Sequence, residues 1–457
     1  MTMDSSKLKY ETKPTQNETN MDDKISTYNY CVTNTQLYAL IRPFLLLMKA
    51  FGLYHFTQFD KDPHHCMADK ETGVVLKQAF KRTQTSGSMI YSLLVCIFLA
   101  VNVVRCASTF WIDDTFQLSS FLWKISILSW LTNCTANAVA CFRASNQYNG
   151  LTNFFLEYDK YTTQQFSKAC KMRVIIYVIA CCILITVNVA LCTYLVFYSS
   201  MLEIIISPFD SSYPHIMYVR IAIFVVLLYF TCAWMLPLFF MLTMCAVLID
   251  LFSSFNKCFQ ASIISEIYSL PLNFEKQRQR FLTLCRLVTY ADNFLSIISG
   301  GTLLTSSIHI TVNLYNLIWY DEIHKDTTVL LGTIFWTIAA VIQIILISAG
   351  GALVNSKAHE PLEYFYEISA DTIPQEKQIH VQLFLSKLNG PPIGLTALGM
   401  FVIDKPVILT VIGMLVTYFV VIVQFSPAYT GGDDSIDSIC NCTEVLANST
   451  LQCHALS

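Results

Sequence analysis

The chain has 457 residues, of which 54% are hydrophobic and only 13% charged, whereas a soluble domain carries roughly a quarter charged residues. That balance excludes a water-soluble globule and points to a bilayer as solvent. A net charge of −3 with 29 scattered Lys and Arg residues also excludes the clustered basic footprint of a nucleic-acid binder, leaving lipid, other membrane chains and small molecules as the expected partners.

Residues 1–87 read as a cytoplasmic N-terminal region. Residues 1–35 are polar, with Lys7, Lys9, Lys13 and Lys24 interspersed, so no signal peptide is expected and the first strong apolar run acts as the membrane signal. The segment 36–54 is apolar but interrupted by Arg42, Pro43 and Lys49. It is too short and too charged to span, and fits an amphipathic helix at the inner membrane surface or, equally, a helix packed on the cytoplasmic ends of the bundle. His64-His65-Cys66 is the one compact metal-like cluster; it lacks a second ligand pair at useful spacing and reads as a solvated loop, so neither a metal nor any other cofactor is expected.

A transmembrane helix needs about 20 apolar residues, and seven stretches within 88–425 qualify: Ser88–Ala107, Leu118–Phe142, Val174–Tyr198, Ile216–Leu248, Phe294–Trp319, Val329–Leu353 and Val407–Phe425. The fourth is too long for one span and is expected to continue as a helix into the cytoplasm, with a solvated segment beyond Asp250 as the alternative. Most cysteines, among them Cys96, Cys134, Cys141, Cys181, Cys182, Cys192, Cys232 and Cys245, lie inside these apolar runs, where Cys is a small hydrophobe.

Short loops rich in Lys and Arg stay cytoplasmic. With the N-terminus inside, the cytoplasmic segments hold eleven (1–87), five (143–173), five (250–286) and four (354–405), while the outer segments hold only Lys325. Arg105, Lys124 and Arg220 fall in or at the edges of helices. The fold expected is therefore an all-α membrane protein, a seven-transmembrane helix bundle with an intracellular N-terminus and an extracellular C-terminus. The tail 426–457 agrees: it holds the sequons Asn441-Cys442-Thr443 and Asn448-Ser449-Thr450 and no basic residue, so glycans are expected on Asn441 or Asn448. Cys440, Cys442 and Cys453 sit in the same tail with their pairing open.

The last span opens with Asp404-Lys405-Pro406, a capping acid followed by Pro in the first turn. Thr410, Thr417 and Gln424 are seven apart and so lie on one stripe, with Gly413 close to it. Such a stripe is either a polar seam between helices or a pore lining. The nine residues Thr417-Tyr418-Phe419-Val420-Val421-Ile422-Val423-Gln424-Phe425 match, without departure, the Thr-Tyr, five hydrophobic residues, Gln-Phe signature of the insect gustatory receptor family. The segment from Ile41-Arg42-Pro43-Phe44 to Phe51-Gly52-Leu53-Tyr54 is also similar to that family's N-terminal pattern.

The resemblance implies a tetrameric, ligand-gated, non-selective cation channel in the plasma membrane of chemosensory neurons, opened by a tastant and built as a homo- or heterotetramer. The final helix of each subunit would line the pore, with Gln424 and Phe425 at its constriction and Thr410, Thr417 and Tyr418 beside it. Physically, one helix per chain requires several copies around an axis, Gln supplies a neutral polar ring, and Phe closes a pore by dewetting. The tail departs from the family pattern by its length; its Asp433, Asp434, Asp437 and Glu444 would gather cations at the outer mouth or splay away as a glycosylated skirt.

His309, Asn313 and Asn316 share one face of the fifth span, and Thr333, Trp336 and Gln343 one face of the sixth. With Tyr194 and Tyr198 of the third and Arg220 of the fourth, they would form an aromatic box with a few polar handles, the usual make-up of a small-molecule site; hydrogen bonding between helices is the plain alternative. Aromatic and amide groups without a carboxylate favour a bitter compound over a sugar. Three other readings are weaker. A G-protein-coupled receptor would invert the termini and show Asp-Arg-Tyr and Asn-Pro-x-x-Tyr, both absent from the spans concerned. A transporter would show repeats with broken helices, and an enzyme a phosphate loop or triad. A subunit that works only with partner receptors remains a variant of the first reading.

Overall fold

The computed structural model describes residues 36–55, 86–111, 118–145, 151–161, 166–199, 215–266, 269–368 and 373–424. Phe425, the tail with Asn441 and Asn448, residues 1–35 and His64–Cys66 lie outside them. The helices are α1 (Gln36–Ala50), α2 (Ser86–Ser108), α3 (Leu118–Ala144), α4 (Leu151–Tyr161), α5 (Lys168–Phe197), α6 (Ile216–Ser265), α7 (Phe274–Trp319), α8 (Asp321–Lys325), α9 (Thr327–His359), α10 (Pro361–Tyr366), α11 (Gln378–Leu388) and α12 (Lys405–Gln424). A small antiparallel hairpin, β1 (Thr396–Ala397) and β2 (Phe401–Val402), precedes α12.

Among the described residues six helices, α2, α3, α5, α6, α7 and α9, are long and apolar enough to cross a membrane. The seventh is α12, 20 residues with Lys405 as its one charged residue. The architecture is thus an all-α membrane bundle of seven spans. Two helices far exceed a span: α6 has 50 residues and α7 has 46, which at about 1.5 Å per residue is more than twice the roughly 30 Å hydrocarbon core. The continuation of α6 past Asp250 is helical, not solvated coil. The fifth span, expected from Phe294, belongs to a helix that begins 20 residues earlier at Phe274, through the charged stretch Glu275–Arg280, because its other face carries Phe274, Phe281, Leu284 and Leu287, all buried.

Those extensions form a stalk whose aromatic cluster continues the core of the bundle. Phe384 of α11 lies 5.2 Å from Phe281, 5.6 Å from Phe274 and 5.9 Å from both Phe259 and Phe365 between ring centroids, within the range of favourable aromatic pairs. Helix α1 buries Leu37, Ile41, Phe44, Leu45 and Met48, a stripe at helical spacing set against α5 and α6. It ends in a left-handed Gly52 (φ 70°), with Leu53 N–H donating to Met48 O at 2.8 Å, the glycine-terminated helix end that satisfies late carbonyls.

The hairpin fastens the start of α12 to the bundle. Leu398 (φ 52°) and Gly399 (φ 73°) form its turn, the left-handed pair that matches strand twist. Thr396 donates to the Asp292 carboxylate from its N–H (2.6 Å) and its hydroxyl (2.9 Å), and Leu398 N–H donates to Ser296 O at 2.9 Å. Asp404 then accepts from Val407 N–H at 3.1 Å, the capping role its sequence position requires.

Candidate functional site

Six spans surround a cavity of about 130 Å³. Its wall comes from the end of α2, the start of α3, the end of α5, the start of α6, the end of α7 and the start of α9. Because chain direction alternates, all of these lie toward the same end of the bundle, away from the stalk. Four indoles dominate it: Trp123 and Trp336 have centroids 6.4 Å apart, and Trp130 and Trp234 are 5.9 Å apart and nearly perpendicular.

Polar groups in the wall are held by one another across helices. Trp336 Nε1 donates to Asn188 Oδ1 at 2.8 Å, and Asn188 Nδ2 donates to Thr231 Oγ1 at 2.8 Å, which ties α9 to α5 and α5 to α6. Trp234 Nε1 and Ser306 Oγ both donate to Gln343 Oε1, at 3.3 and 3.2 Å, which joins α6, α7 and α9. Ser126 Oγ and His309 Nδ1 are 3.0 Å apart. Lys124, only 7% exposed, donates from Nζ to Thr109 O at 3.3 Å. Among the described residues the lining includes Lys124 and Arg105 but neither Asp nor Glu. Among the described residues no group of three or more His, Cys, Asp or Glu could hold a metal ion.

Of the residues named from sequence, His309, Asn313, Trp336 and Gln343 line this cavity and the other five do not. Thr333 is fully buried with its hydroxyl donating to Val329 O (2.9 Å). Asn316 is fully buried outside the wall. Tyr194 sits with Trp336, Leu191 and Gly332 on a separate crevice, where its hydroxyl donates to Asp326, the cap of α9. Tyr198 is 76% exposed and stacks on Tyr194. Arg220 donates to Phe197 O at 3.3 Å, closing the α5–α6 end. The box expected from sequence therefore divides: four of its residues line the cavity, Tyr194 and Arg220 tie helix ends together, and Tyr198, Asn316 and Thr333 lie elsewhere.

Helix α3, absent from that set, supplies Trp123, Lys124, Ser126, Trp130 and Asn133 to the wall. A readable signal existed: Trp123 and Trp130 are seven apart, Ser126 and Asn133 are another seven-residue pair close to them, and a lysine lies inside a span, where a charge usually marks function.

The pore candidates fall on the opposite side of the molecule's logic, on a face the chain leaves uncovered. Val407, Ile408, Val411, Leu415, Phe419 and Val423 are the half-buried residues described along α12, most of them spaced by four, on a helix that packs on α7 and α9. Thr410, Gly413, Thr417 and Gln424 are exposed and at about 100° per residue lie roughly opposite that seam. The hydroxyls of Thr410 and Thr417 bond back to Pro406 O and Gly413 O, so the stripe is not a seam between helices of one chain. Tyr418, also exposed at 50%, neighbours it.

A family model described as a 7tm chemosensory receptor matches residues 41–429. Among solved structures, the insect olfactory receptor OR5 from Machilis hrabei in complex with eugenol is similar, with a TM-score of 0.65, 13% identity, and coverage of 85% of this chain and 99% of that one. A second structure of that receptor gives 0.63 and 14%, with the same coverage. At such identity the likeness is one of fold. No curated protein matches the chain in sequence.

Proposed function

The chain belongs to the 7tm chemosensory receptor family, whose members are ligand-gated cation channels and not enzymes, and from that premise we propose that it is a gustatory receptor opened by a small-molecule tastant. Four copies, of this chain alone or with related subunits, place α12 around a central non-selective pore in the plasma membrane of a chemosensory neuron. Thr410 and Thr417 line that pore, Gln424 and Phe425 constrict it, and Tyr418 borders it. The N-terminus is inside, and the tail with glycans on Asn441 or Asn448 is outside.

The observation that carries this reading is the polar stripe of α12, which faces away from its own bundle. A stripe of hydroxyls and an amide on an otherwise apolar span is costly against lipid and is stable against water. Several copies around an axis supply that water-filled environment.

The tastant occupies the cavity among the six spans. The olfactory receptor of similar fold was solved with eugenol, a small aromatic molecule, and a wall of four indoles with no carboxylate among the described residues suits a bitter aromatic better than a sugar. Cell-surface expression under voltage clamp, alone and with related subunits, tests the assignment. Tastant-evoked currents are expected to persist with G-protein signalling blocked, and to change unitary conductance in Gln424→Ala. Currents abolished by that block would replace the channel with a G-protein-coupled receptor.

A further inference from the structure

The orientation of Gln343 is fixed by chemistry. An indole N–H can only donate, so the Gln343 atom that faces Trp234 Nε1 at 3.3 Å must be the amide oxygen. Ser306 Oγ bonds the same oxygen. The usual ambiguity between amide oxygen and nitrogen is thereby removed, and Nε2, with its two N–H donors, is turned away from both. Gln343 is 4% exposed and in the cavity wall, and its Nε2 bonds to no described residue.

The same bias runs through the wall. The Asn188 oxygen is already taken by Trp336 Nε1, so two amide carbonyls that could receive a ligand hydroxyl are occupied by indoles. Donors outnumber acceptors among what stays uncommitted: Gln343 Nε2, the buried Nε1 of Trp123 and Trp130 and Asn133 Nδ2 are donors without a partner, against Asn133 Oδ1 and, according to tautomer, His309 Nε2 as unpartnered acceptors. Asn313, 2% exposed, adds one further donor group and one acceptor. Buried donors left unmet are costly, and Gln343 Nε2 is the one a ligand in the cavity is best placed to meet.

We propose that the cavity selects aromatic or alicyclic ligands bearing a bare acceptor oxygen, such as a ketone, lactone or ester, with Gln343 Nε2 as the specificity-determining donor. Polyhydroxylated ligands are disfavoured, because each hydroxyl brings a proton that needs an acceptor and the wall's uncommitted acceptors are fewer than its donors. This rests on reading the cavity as the tastant site.

Three compounds of one ring skeleton separate the possibilities: tetralin with no polar atom, 1-tetralone with an acceptor, and 1-tetralol with a hydroxyl. Their affinities are measured by equilibrium dialysis against the purified full chain in lipid nanodiscs. For the wild type, 1-tetralone should bind at least about threefold more tightly than 1-tetralol. In Gln343→Leu the ratio of 1-tetralone to tetralin affinity should fall about tenfold while tetralin still binds. Equal or tighter binding of 1-tetralol by the wild type overturns the proposal, as does an unchanged ratio in Gln343→Leu; the first comparison needs no variant to fold. If none of the three binds, or if binding ignores Ala340→Trp, which fills the cavity, the tastant-site reading itself falls and takes this one with it.

Discussion

At Gly300 the structure leaves no room for a side chain. A Cβ there would lie 2.5 Å from Leu398 Cγ and 2.6 Å from Leu398 N. Side chains can turn aside but the backbone of the hairpin cannot, so Gly300→Ala should destabilise the purified protein by about 1–3 kcal/mol, read as a lower Tm. Gly87→Ala, with nothing within 4 Å of its Cβ, should leave Tm unchanged. In the first turn of α7, outside the hydrocarbon core, the Arg278 guanidinium, 2.7 Å away, holds the Glu275 carboxyl down to about 2. Since the folded carboxyl titrates below its ordinary value of 4.5, its contribution is full above that pH and is lost as pH falls toward 2. The pair is partly exposed, so the effect is small and screened by salt; Glu275→Gln should flatten the acid limb of a Tm–pH curve at low ionic strength. Single residues were unevenly legible in the sequence. Trp336 and Gln343 could be found because they share a face with few rivals. Tyr194 and Arg220 were drawn to the same site by their chemistry, yet bond Asp326 and Phe197 O, partners that no spacing along one helix reveals.

Helices were more legible than side chains, since a span is set by a run of apolar residues and a cap by one. The start of α12 was readable from Asp404 and Pro406. The first 20 residues of α7 were not, because Glu275, Lys276, Arg278 and Arg280 hide a buried face whose Phe and Leu residues meet partners far along the chain. The two faces of α12 make separable predictions. Leu415→Ala removes a half-buried side chain from the seam on α7 and α9 and should cost about 1–2 kcal/mol of stability. Thr417→Val leaves the exposed stripe without a hydroxyl whose bond is to its own helix at Gly413 O (2.9 Å). It should leave Tm within about 0.5 kcal/mol equivalents and lower single-channel conductance. A conductance that follows Leu415 and ignores Thr417 would place the pore elsewhere.

For the whole molecule, composition alone identified a membrane bundle, and the charge tally gave it an orientation that glycosylation can check. Endoglycosidase treatment should increase gel mobility of the wild type and not of a chain carrying both Asn441→Gln and Asn448→Gln. What no composition could give is the coupling between ends. The cavity lies toward one end of the bundle, and the hairpin that holds α12 is pinned to α7 at Asp292 and Ser296, below the Ser306 and His309 that face the cavity. One helix, α7, thus touches both the cavity wall and the hairpin that holds α12.

The uncovered face of α12 also has a consequence in mass action. A helix that meets its own chain along a single seam has part of its binding surface supplied by other molecules, so its order carries a dissociation constant. Dilution of the purified protein in detergent should lower Tm steadily with the logarithm of protein concentration. A Tm that holds across a hundredfold dilution, about 2.7 kcal/mol in mass-action terms, would mean that lipid or detergent alone suffices to cover that face.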